Sequence, residues 1–436
     1  MEIEKDRIVE KEEAMLEGMN IGGRWNRMYE PRVITDFTIE NKERVYLTKG
    51  AESFANCYQC AQCVGVCPVE HATNGLGYGP RKLVRWTETG MDLFTSPNLW
   101  LCTTCMNCLR VCPKEVNMIK IMPAIREQAL MDGFVPEELE KALMNSSKYG
   151  NPLGKPARKR DAWTKDLEYV EVPVFKSLEN KVDFLWFVGD YTSYHPRGND
   201  AAKAMARVFK RLGINYAILG AEEVSDGDSQ RLVGEKGLFE DLAMKNMEAF
   251  EKYEDKFDEI VVTGPHALNA IKNEYPKLEG AKHRKVRHYT QLLVDYIDKM
   301  QFTREVNVKI TFHDPCYLGR HNGEYEAPRK LLRAIPGVEL VEMGRCKENG
   351  YCCGGGGGGM WTDSYSRDYT SERLSERRVR EAAETGANLL AVTCPFEISR
   401  FEDAAKSTKN DHILVRDIIE LLDFAQGGDS PNPLGK

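Results

Sequence analysis

Two stretches with one cysteine spacing decide the fold: CYQCAQCVGVCP, from Cys57 to Pro68, and CTTCMNCLRVCP, from Cys102 to Pro113. Both have the form C-x2-C-x2-C-x3-C-P, which in proteins binds cubane [4Fe–4S] clusters in pairs. A tight turn lets the first three thiolates of a run converge on one cluster, whereas the fourth points towards the other cluster. The proline after each run stops the turn from tightening further. The chain is therefore predicted to bind two iron–sulfur clusters.

The spacing also predicts which cysteines share a cluster. The first set is Cys57, Cys60, Cys63 and Cys112, and the second set is Cys102, Cys105, Cys108 and Cys67. Zinc is the main alternative, but a zinc site takes four ligands, and two full runs supply more thiolates than such a site uses. Disulfides would require an oxidising compartment. Two clusters in series indicate an electron-transfer module.

Composition limits the class of protein. The chain has 436 residues, enough for two or three domains, of which 42% are hydrophobic and 29% charged. Its net charge of −7 gives no electrostatic footprint for nucleic acid. No apolar run approaches the length of a membrane span, and the first residues are acidic and polar, unlike a secretory signal. Thirteen cysteines in such a chain indicate metal binding in a reducing cytoplasm.

Helical patterns surround the cysteine runs. RKLVRWTETGMDLF, from Arg81, and two segments after Cys112, VNMIKIMPAIREQALMDG and VPEELEKALMNSSKYG, have the apolar spacing of helices. Residues 51–148 are therefore predicted to form a helical ferredoxin domain. Residues 1–50 are expected to be an extension that docks a partner. Residues 149–180, which include the basic and proline-rich GNPLGKPARKRDAW, are expected to be a solvated linker.

Beyond the linker the pattern of the chain repeats. Short apolar strands alternate with amphipathic helices in residues 181–300 and again in 301–425, and a tail follows at 426–436. VTGPHAL, from Val262, aligns with VTCPFEI, from Val392, and the former is predicted as the end of a strand that runs into a turn. The alternation predicts two α/β repeats with parallel sheets. The whole chain is thus assigned to the α+β multi-domain class, with a ferredoxin domain ahead of the two repeats.

The two repeats differ in the residues that could bind metal. The second has Cys316, the run Cys352-Cys353-Gly354 and Cys394; at the aligned positions the first has Asp190, Ser225-Asp226-Gly227 and Gly264. Six glycines follow the paired cysteines, and glycine permits positive φ and a close approach of backbone to a bulky group. A third metal site is therefore expected in the second repeat alone, although buried core thiols are a simpler alternative for the adjacent cysteines.

These motifs resemble a known family. C-x35-CCG-x39-C-P resembles the cysteine-rich CCG domain of heterodisulfide reductase, and its position after a ferredoxin domain resembles the D subunit of that enzyme. The K subunit of the membrane redox complex associated with dissimilatory sulfite reductase has the same order. The resemblance covers about residues 50 to 425 and is most specific in NPLGKPARKRDAW, CCGGGGGGMW and ETGANLLAVTCPFE.

The resemblance implies a third [4Fe–4S] cluster, held by Cys316, Cys352, Cys353 and Cys394. In the family a fifth cysteine completes a non-cubane cluster, but here Glu397 stands at that position. Three possibilities follow: an ordinary cubane on four thiolates, Cys346 as a fifth ligand, or Glu397 leaving one iron weakly held and open to substrate. His313, His321, Arg320 and Lys347 flank the cysteines, and His266 of the first repeat could face the same pocket.

The resemblance further implies an oxidoreductase that acts on a disulfide or dithiol, as a subunit of a respiratory complex. Its partners would be a haem b-type, quinol-oxidising membrane subunit and a small disulfide or thiol substrate. Its place would be the cytoplasmic face of the membrane. Two alternatives stay open. One is the iron–sulfur subunit of a flavin-dependent hydroxyacid or glycerol-3-phosphate dehydrogenase, although those subunits typically carry two complete CCG motifs. The other is a non-catalytic electron relay.

Overall fold

The computed structural model describes residues 39–73, 79–94 and 96–435, together with the backbone of two short antiparallel strands, Met15–Leu16 (β1) and Met19–Asn20 (β2). Most of the predicted docking extension, residues 1–50, therefore lies outside the described residues. Within the part of the chain that is described, no helix is both long and apolar enough to cross a bilayer.

The ferredoxin domain is helical, as predicted. Its α-helices are Ile39–Tyr46 (α1), Gln62–Val66 (α2), Pro68–Ala72 (α3), Pro80–Glu88 (α4), Asn98–Leu101 (α5), Asn107–Arg110 (α6), Met118–Met131 (α7) and Glu137–Tyr149 (α8). Their apolar faces bury Phe54, Leu99, Ile121 and Ile125 in one core. Pro68 begins α3 instead of only ending the cysteine run, because its fixed φ suits the first turn of a helix and its missing N–H has no partner there.

The segment after α8 is packed, so the expectation of a solvated linker is wrong for its central residues. Short 3₁₀ turns lie at Ala157–Lys159, Ala162–Asp166 and Phe175–Ser177. The buried Trp163 ring meets Trp186 edge-on at 5.6 Å between centroids. Arg160 is buried and bonds Asp190 at 2.5 Å and Glu223 at 2.7 Å. The segment belongs to the core of the first repeat because this cation and this indole have their partners there.

Each repeat contains a parallel sheet, as predicted. The strands of the first repeat are Phe184–Phe187 (β3), Tyr216–Ile218 (β4), Glu259–Val262 (β5) and Val286–His288 (β6). Those of the second are Val308–Phe312 (β7), Val338–Val341 (β8), Leu389–Val392 (β9) and Leu414–Asp417 (β10). The orders β4-β3-β5-β6 and β8-β7-β9-β10 are the same, and every neighbouring pair is parallel. The repeats therefore share one topology.

Helices cover both sheets and join the repeats. The α-helices of the first repeat are Asp190–Tyr194 (α9), Pro196–Leu212 (α10), Asp228–Leu232 (α11), Lys236–Lys252 (α12), Pro265–Asn269 (α13) and Tyr289–Val294 (α14). Those of the second are Glu326–Ala334 (α15), Asp363–Tyr369 (α16), Leu374–Glu384 (α17), Pro395–Ser407 (α18) and Ile418–Ala425 (α19). One apolar core runs from Trp186 and Phe209 to Ile310 and Leu421, so the repeats are fused through a shared interior.

The strand register fixes how the repeats correspond. Trp186 pairs with Val261 across β3 and β5, and Phe312 pairs with Ala391 across β7 and β9. The positions just beyond these strands are therefore equivalent in the two repeats. Asp190 of the first repeat corresponds to Cys316 of the second, and Gly264 corresponds to Cys394. The prediction of a turn at PHAL is wrong, because helix α13 begins there at Pro265. Helix α18 begins at the equivalent residue of the second repeat, Pro395.

Candidate iron–sulfur centres

The two cysteine runs of the ferredoxin domain fold alike. In each, the residue before the second cysteine and the residue after it have left-handed backbone, namely Gln59 (φ 65°) and Ala61 (67°) in one run and Thr104 (52°) and Met106 (71°) in the other. Such conformations are costly for residues other than glycine and persist where the surroundings require them. Here they turn successive cysteines towards one centre.

The first predicted set is gathered on one side of the domain. Burial raises the pKa of Cys63 to about 11, and Cys57, Cys112 and Cys60 add to the rise because each is close enough to repel a second thiolate. Backbone N–H groups point at these sulfurs: Gln59 donates to Cys57 Sγ and Val116 donates to Cys112 Sγ, both at 3.4 Å. N–H groups aimed at thiolates are what an anionic cluster requires of its surroundings.

The second predicted set surrounds a cavity of about 460 Å³, measured with its open mouth. Cys67, Cys102, Cys105 and Cys108 all line it, and the remaining lining is mostly apolar, including Leu83 and Met118. The two sets are neighbours, since Cys63 of the first is among the groups that raise the pKa of Cys108. A short path thus joins the two sets.

The arrangement of sulfurs suits clusters better than single ions. Three or more potential ligand atoms that lie within 4.8 Å of one another occur in the described residues only at His313, Cys353 and Glu397. Zinc needs its four sulfurs about 2.3 Å from one ion, hence close together. The eight ferredoxin cysteines are not drawn together in that way, and the spread of the second set around its cavity fits a cubane cluster.

In the second repeat the paired cysteines lie against the ferredoxin domain. Hydrogen bonds from Cys105, Cys316 and Cys353 hold the pKa of the Cys352 thiol well below its usual range. Thr103 Oγ1 lies 3.3 Å from the same sulfur. Cys105 belongs to the second ferredoxin set and Cys316 to the third, so Cys352 stands where the two sites meet.

Cys394 and Glu397 complete the third site from helix α18. Glu397 is buried, bonds the Cys353 thiol and interacts with Cys394. Its Oε1 lies 3.2 Å from His313 Nε2, and no described residue is a hydrogen-bond partner of its Oε2. Burial raises the pKa of Glu397 well above its usual value. An uncompensated buried carboxylate is costly, so a cation beside it would stabilise the site.

His313 is held in one tautomer. Arg378 Nε donates to His313 Nδ1 at 2.9 Å, so the proton of the neutral ring is on Nε2, the nitrogen that faces Glu397. Burial and the Arg378 charge keep the pKa of His313 well below its usual value. Nε2 lies 3.2 Å from Glu397 Oε1 without a hydrogen bond to any described residue, and a protonated Nε2 does not bind metal.

The strongest interactions of Cys346 are with residues other than the paired cysteines. It is half-buried at the start of the 3₁₀ turn Lys347–Asn349. Burial raises its pKa, and the charges that act on it most strongly are those of Glu342 and Asp314. Of the two residues named for a fifth position, Glu397 bonds the Cys353 thiol, and no such bond is observed for Cys346 in the described residues.

The glycine run packs closely against the ferredoxin domain. A Cβ on Gly356 would lie 2.6 Å from the Thr103 carbonyl oxygen, and one on Gly357 would lie 2.4 Å from that of Cys102. Real Cβ atoms do not approach backbone oxygen so closely. Much of the run is therefore used for docking to a loop that carries predicted ligands of another cluster, a contact that the sequence did not reveal.

Two arginines at this junction, the buried Arg126 and the half-buried Arg320, make contacts that the sequence did not show. Arg126 donates to four carbonyl oxygens, those of Leu99, Cys102, Leu232 and Gly357, at 2.7–2.9 Å. Arg320 donates to the Cys105 carbonyl at 2.6 Å and to that of Gly350 at 2.7 Å. Neither guanidinium forms an ion pair with a carboxylate in the described residues. Both bond the main chain of predicted cluster ligands, Cys102 and Cys105, so their positive charges lie beside the second set. A lone arginine in the apolar stretch IKIMPAIREQALM was the available signal for Arg126.

A second cavity lies between the repeats. It encloses about 470 Å³ with its mouth and is lined by Asp190, Ser225, Asp226, His266 and Cys394, with Trp361 and Phe396 as aromatic walls. The expectation that His266 faces the site of the second repeat agrees with this geometry. The residues that stand in the first repeat where the second has cysteines therefore line the same cavity as Cys394, a predicted cluster ligand of the second repeat.

The fold and these sites define a class, an iron–sulfur protein with a dicluster domain and two cysteine-rich domains. Residues 53–116 match the model of a 4Fe-4S dicluster domain, and residues 185–272 and 310–396 match that of the cysteine-rich CCG domain. The chain is 35% identical over 402 residues to the D subunit of the dihydromethanophenazine:CoB–CoM heterodisulfide reductase of Methanosarcina barkeri, which covers 85% of this chain and 93% of that protein.

Other relatives are longer. A probable iron–sulfur-binding oxidoreductase of Bacillus subtilis, FadF, is 35% identical over 340 residues, covering 76% of this chain and 47% of its own length. The EtfAB:quinone oxidoreductase of Syntrophomonas wolfei is 32% identical over 339 residues, with 76% and 47% covered. The chain spans about half the length of these two. It belongs to the family of the heterodisulfide reductase D subunit, a family of iron–sulfur oxidoreductase subunits.

Proposed function

We propose that this chain is the electron-transferring and catalytic subunit of a membrane-associated respiratory complex, which couples quinol or quinone electrons to disulfide or dithiol chemistry. The observation that carries the proposal is the meeting of Cys105 and Cys352, since it puts a ferredoxin ligand beside the third site. Electrons would pass from the set of Cys57 to the set of Cys102 and on to the cysteines of the second repeat.

At the third site, Cys316, Cys352, Cys353 and Cys394 would hold a [4Fe–4S] cluster, of cubane or non-cubane form. When bound, it would supply single electrons and a place for a substrate sulfur. Glu397, whose Oε2 has no hydrogen-bond partner in the described residues, would offer a weaker oxygen ligand where the family has a fifth thiolate. A ligand that is easily displaced leaves a metal open to substrate, as catalytic sites require.

Anaerobic reconstitution tests this proposal. The protein should bind iron for three clusters, and oxidation in the presence of a thiol should give an EPR signal that depends on that thiol. The matched variant Cys352→Ala should keep the ferredoxin signals and lose the thiol-dependent one. If the wild-type protein bound three clusters but thiols did not change its EPR signal, the catalytic role would be refuted and the non-catalytic electron relay would be favoured.

The partner and location are also proposed. A haem b-type membrane subunit would deliver electrons from quinol, and the chain would lie on the cytoplasmic face through that contact. Co-purification from membranes, followed by reduction of the chain's clusters by a quinol analogue, tests this. Recovery of the chain alone from washed membranes, with clusters that quinol does not reduce, would contradict it.

A second candidate has a specific observation in its favour. Two relatives of this chain are named as an iron–sulfur-binding oxidoreductase and an EtfAB:quinone oxidoreductase, neither of which refers to disulfides. The chain would then pass electrons from a flavoprotein to quinone. Co-purification with a flavoprotein whose substrate reduces all three clusters, without any response to thiols, would favour this candidate.

A further inference from the structure

We propose that His266, held by Asp228, donates the proton to the departing thiolate when a disulfide is reduced in the cavity between the repeats. This inference rests on the proposed disulfide chemistry. It gives the repeat that lacks cysteines a part in the reaction.

The placement of His266 supports this role. It lies in α13, directly beyond strand β5, and its ring lines the cavity that Cys394 also lines. The ring stacks on Tyr317 with 4.0 Å between centroids. Tyr317 follows Cys316 and bonds Thr104 of the ferredoxin loop at 2.8 Å, so the imidazole rests on a fixed support beside the third site.

The hydrogen bonds of His266 leave one nitrogen for substrate. Nδ1 bonds Asp228 Oδ2 at 2.7 Å, while nothing in the described part of the chain hydrogen-bonds Nε2. Asp228 is itself oriented by Arg231 at 2.7 Å and Asn269 at 3.3 Å. A carboxylate bonded to one nitrogen of a histidine fixes the orientation of the ring, so that Nε2 is the nitrogen that can donate to a substrate.

The other repeat shows that packing alone does not require a histidine here. Phe396 follows Cys394 by two residues, as His266 follows Gly264, and it packs on Tyr191 as His266 packs on Tyr317. Asp228 stands where the second repeat has Gly355. The hydrogen-bonded pair of His266 and Asp228 therefore occurs in the first repeat and has no counterpart in the second, where Phe396 and Gly355 stand.

Disulfide reduction at this site consumes two electrons and two protons. A disulfide R–S–S–R′ receives two electrons, which an external one-electron donor supplies, and its S–S bond breaks. One sulfur remains at the third site, and the other leaves with the proton of His266 Nε2 as R′SH. The neutral ring, still bonded to Asp228, takes a new proton from water at the cavity mouth. A second proton from water releases RSH.

The test is His266→Gln in the reconstituted full chain, reduced by viologen, with two disulfides. One is made from an aliphatic thiol of ordinary acidity, and the other from a fluorinated, more acidic thiol whose anion leaves without protonation. General acid catalysis contributes about 100-fold or more, so kcat/KM for the first disulfide should fall ~100-fold and that for the second by less than ~5-fold. Iron content and EPR signals should not change.

His321→Gln is the matched control, because His321 also stacks on Tyr317, at 3.9 Å, but bonds the Thr104 carbonyl and does not line the cavity. It should affect both disulfides by the same factor. An equal loss on both disulfides in His266→Gln, or no loss, would overturn the inference. If His266→Gln lost iron, Asp228→Asn would be tested in its place. It should lose more kcat/KM on the aliphatic disulfide than on the fluorinated one, and an equal loss on both would overturn the inference. A wild-type chain inactive on both disulfides would instead refute the proposed function.

Discussion

The first and second repeats keep the same loop with different chemistry. Gly227 and Gly354 both have left-handed backbone, at φ 76° and 87°. Gly227 N–H donates to Ser225 Oγ at 3.4 Å, and Gly354 N–H donates to Cys352 Sγ at 3.3 Å. The loop is therefore a property of the backbone and its hydrogen bonds. The side chains decide whether it can bind iron.

What fills the equivalent space also differs. In the first repeat, Arg160 from the segment after α8 pairs with Asp190 and Glu223, and Glu223 accepts the N–H groups of Val188 and Gly189 at 2.9 and 2.8 Å. A protein cation and its carboxylates thus occupy the end of this sheet. The second repeat has cysteines at the end of its sheet, and their thiolates can bind a metal.

The largest effect is expected from Cys352→Ala. Loss of this thiolate should remove the iron of the third cluster and abolish disulfide reduction, while the ferredoxin clusters remain. Ser225→Ala, at the equivalent position of the first repeat, should keep all the iron. Iron analysis and EPR measure both variants, and full iron content in Cys352→Ala would show that this cysteine is not a ligand.

Arg160→Gln should be the most destabilising change in the first repeat. It leaves two buried carboxylates without their cation, and breaking a buried ion pair costs about 3–5 kcal/mol of unfolding free energy. Urea denaturation followed by circular dichroism measures the loss. Arg158→Gln, on the exposed surface of the same segment, should change stability by less than about 0.5 kcal/mol. Equal effects of the two would mean that the buried pair does not support the repeat.

Gly357→Ala should separate the second repeat from the ferredoxin loop. The residue has φ 59°, and its Cβ would meet the Cys102 carbonyl oxygen at 2.4 Å. Strain and overpacking together should cost about 3 kcal/mol and perturb the EPR signal of the second cluster. Gly237→Ala, in helix α12 with nothing within 4 Å of the new Cβ, is the control and should be neutral or stabilising. An unperturbed second cluster in Gly357→Ala would contradict the close docking.

The smallest effect concerns the contact that joins the repeats. Asp423 of α19 bonds Arg207 and Arg211 of α10, each at 2.7 Å, and Ser430 at 2.6 Å. Burial opposes ionisation, but the bonds from Arg207 and Ser430 outweigh it and lower the pKa of Asp423. Asp423→Asn should therefore cost about 2 kcal/mol near neutral pH.

The pH dependence of that loss follows from the sign of the shift. A carboxyl with a lowered pKa stabilises the fold above its unfolded pKa, and the contribution disappears as pH falls through the folded value. The difference between wild type and Asp423→Asn should narrow below about pH 4. Denaturation midpoints across this range, with the exposed Asp429→Asn as control, measure it. A constant difference at all pH values would exclude a role for the charge.

Local patterns were sufficient to predict the longer helices, the alternation of strands and helices, and the correspondence between the repeats. Cys316 and Asp190 aligned because each follows a central strand, and the strand register agrees with that alignment. Contacts between distant segments could not be predicted in this way. Arg160 was expected to be solvated. No local sequence pattern predicts the contact of Gly357 with Cys102 or the hydrogen bond between Asp228 and His266.

Arg126 has a consequence for how these proteins diverge. Its guanidinium connects the ferredoxin domain, Leu232 of the first repeat and Gly357 of the second, yet every acceptor is a main-chain carbonyl. Such a joint depends on one side chain and on the path of the backbone, and hardly at all on which residues supply the oxygens. Surrounding sequence can change while the three parts stay locked together. A chimaera that combined the ferredoxin domain of one relative with the repeats of another should keep this joint wherever it keeps the arginine and the path of the backbone beside it.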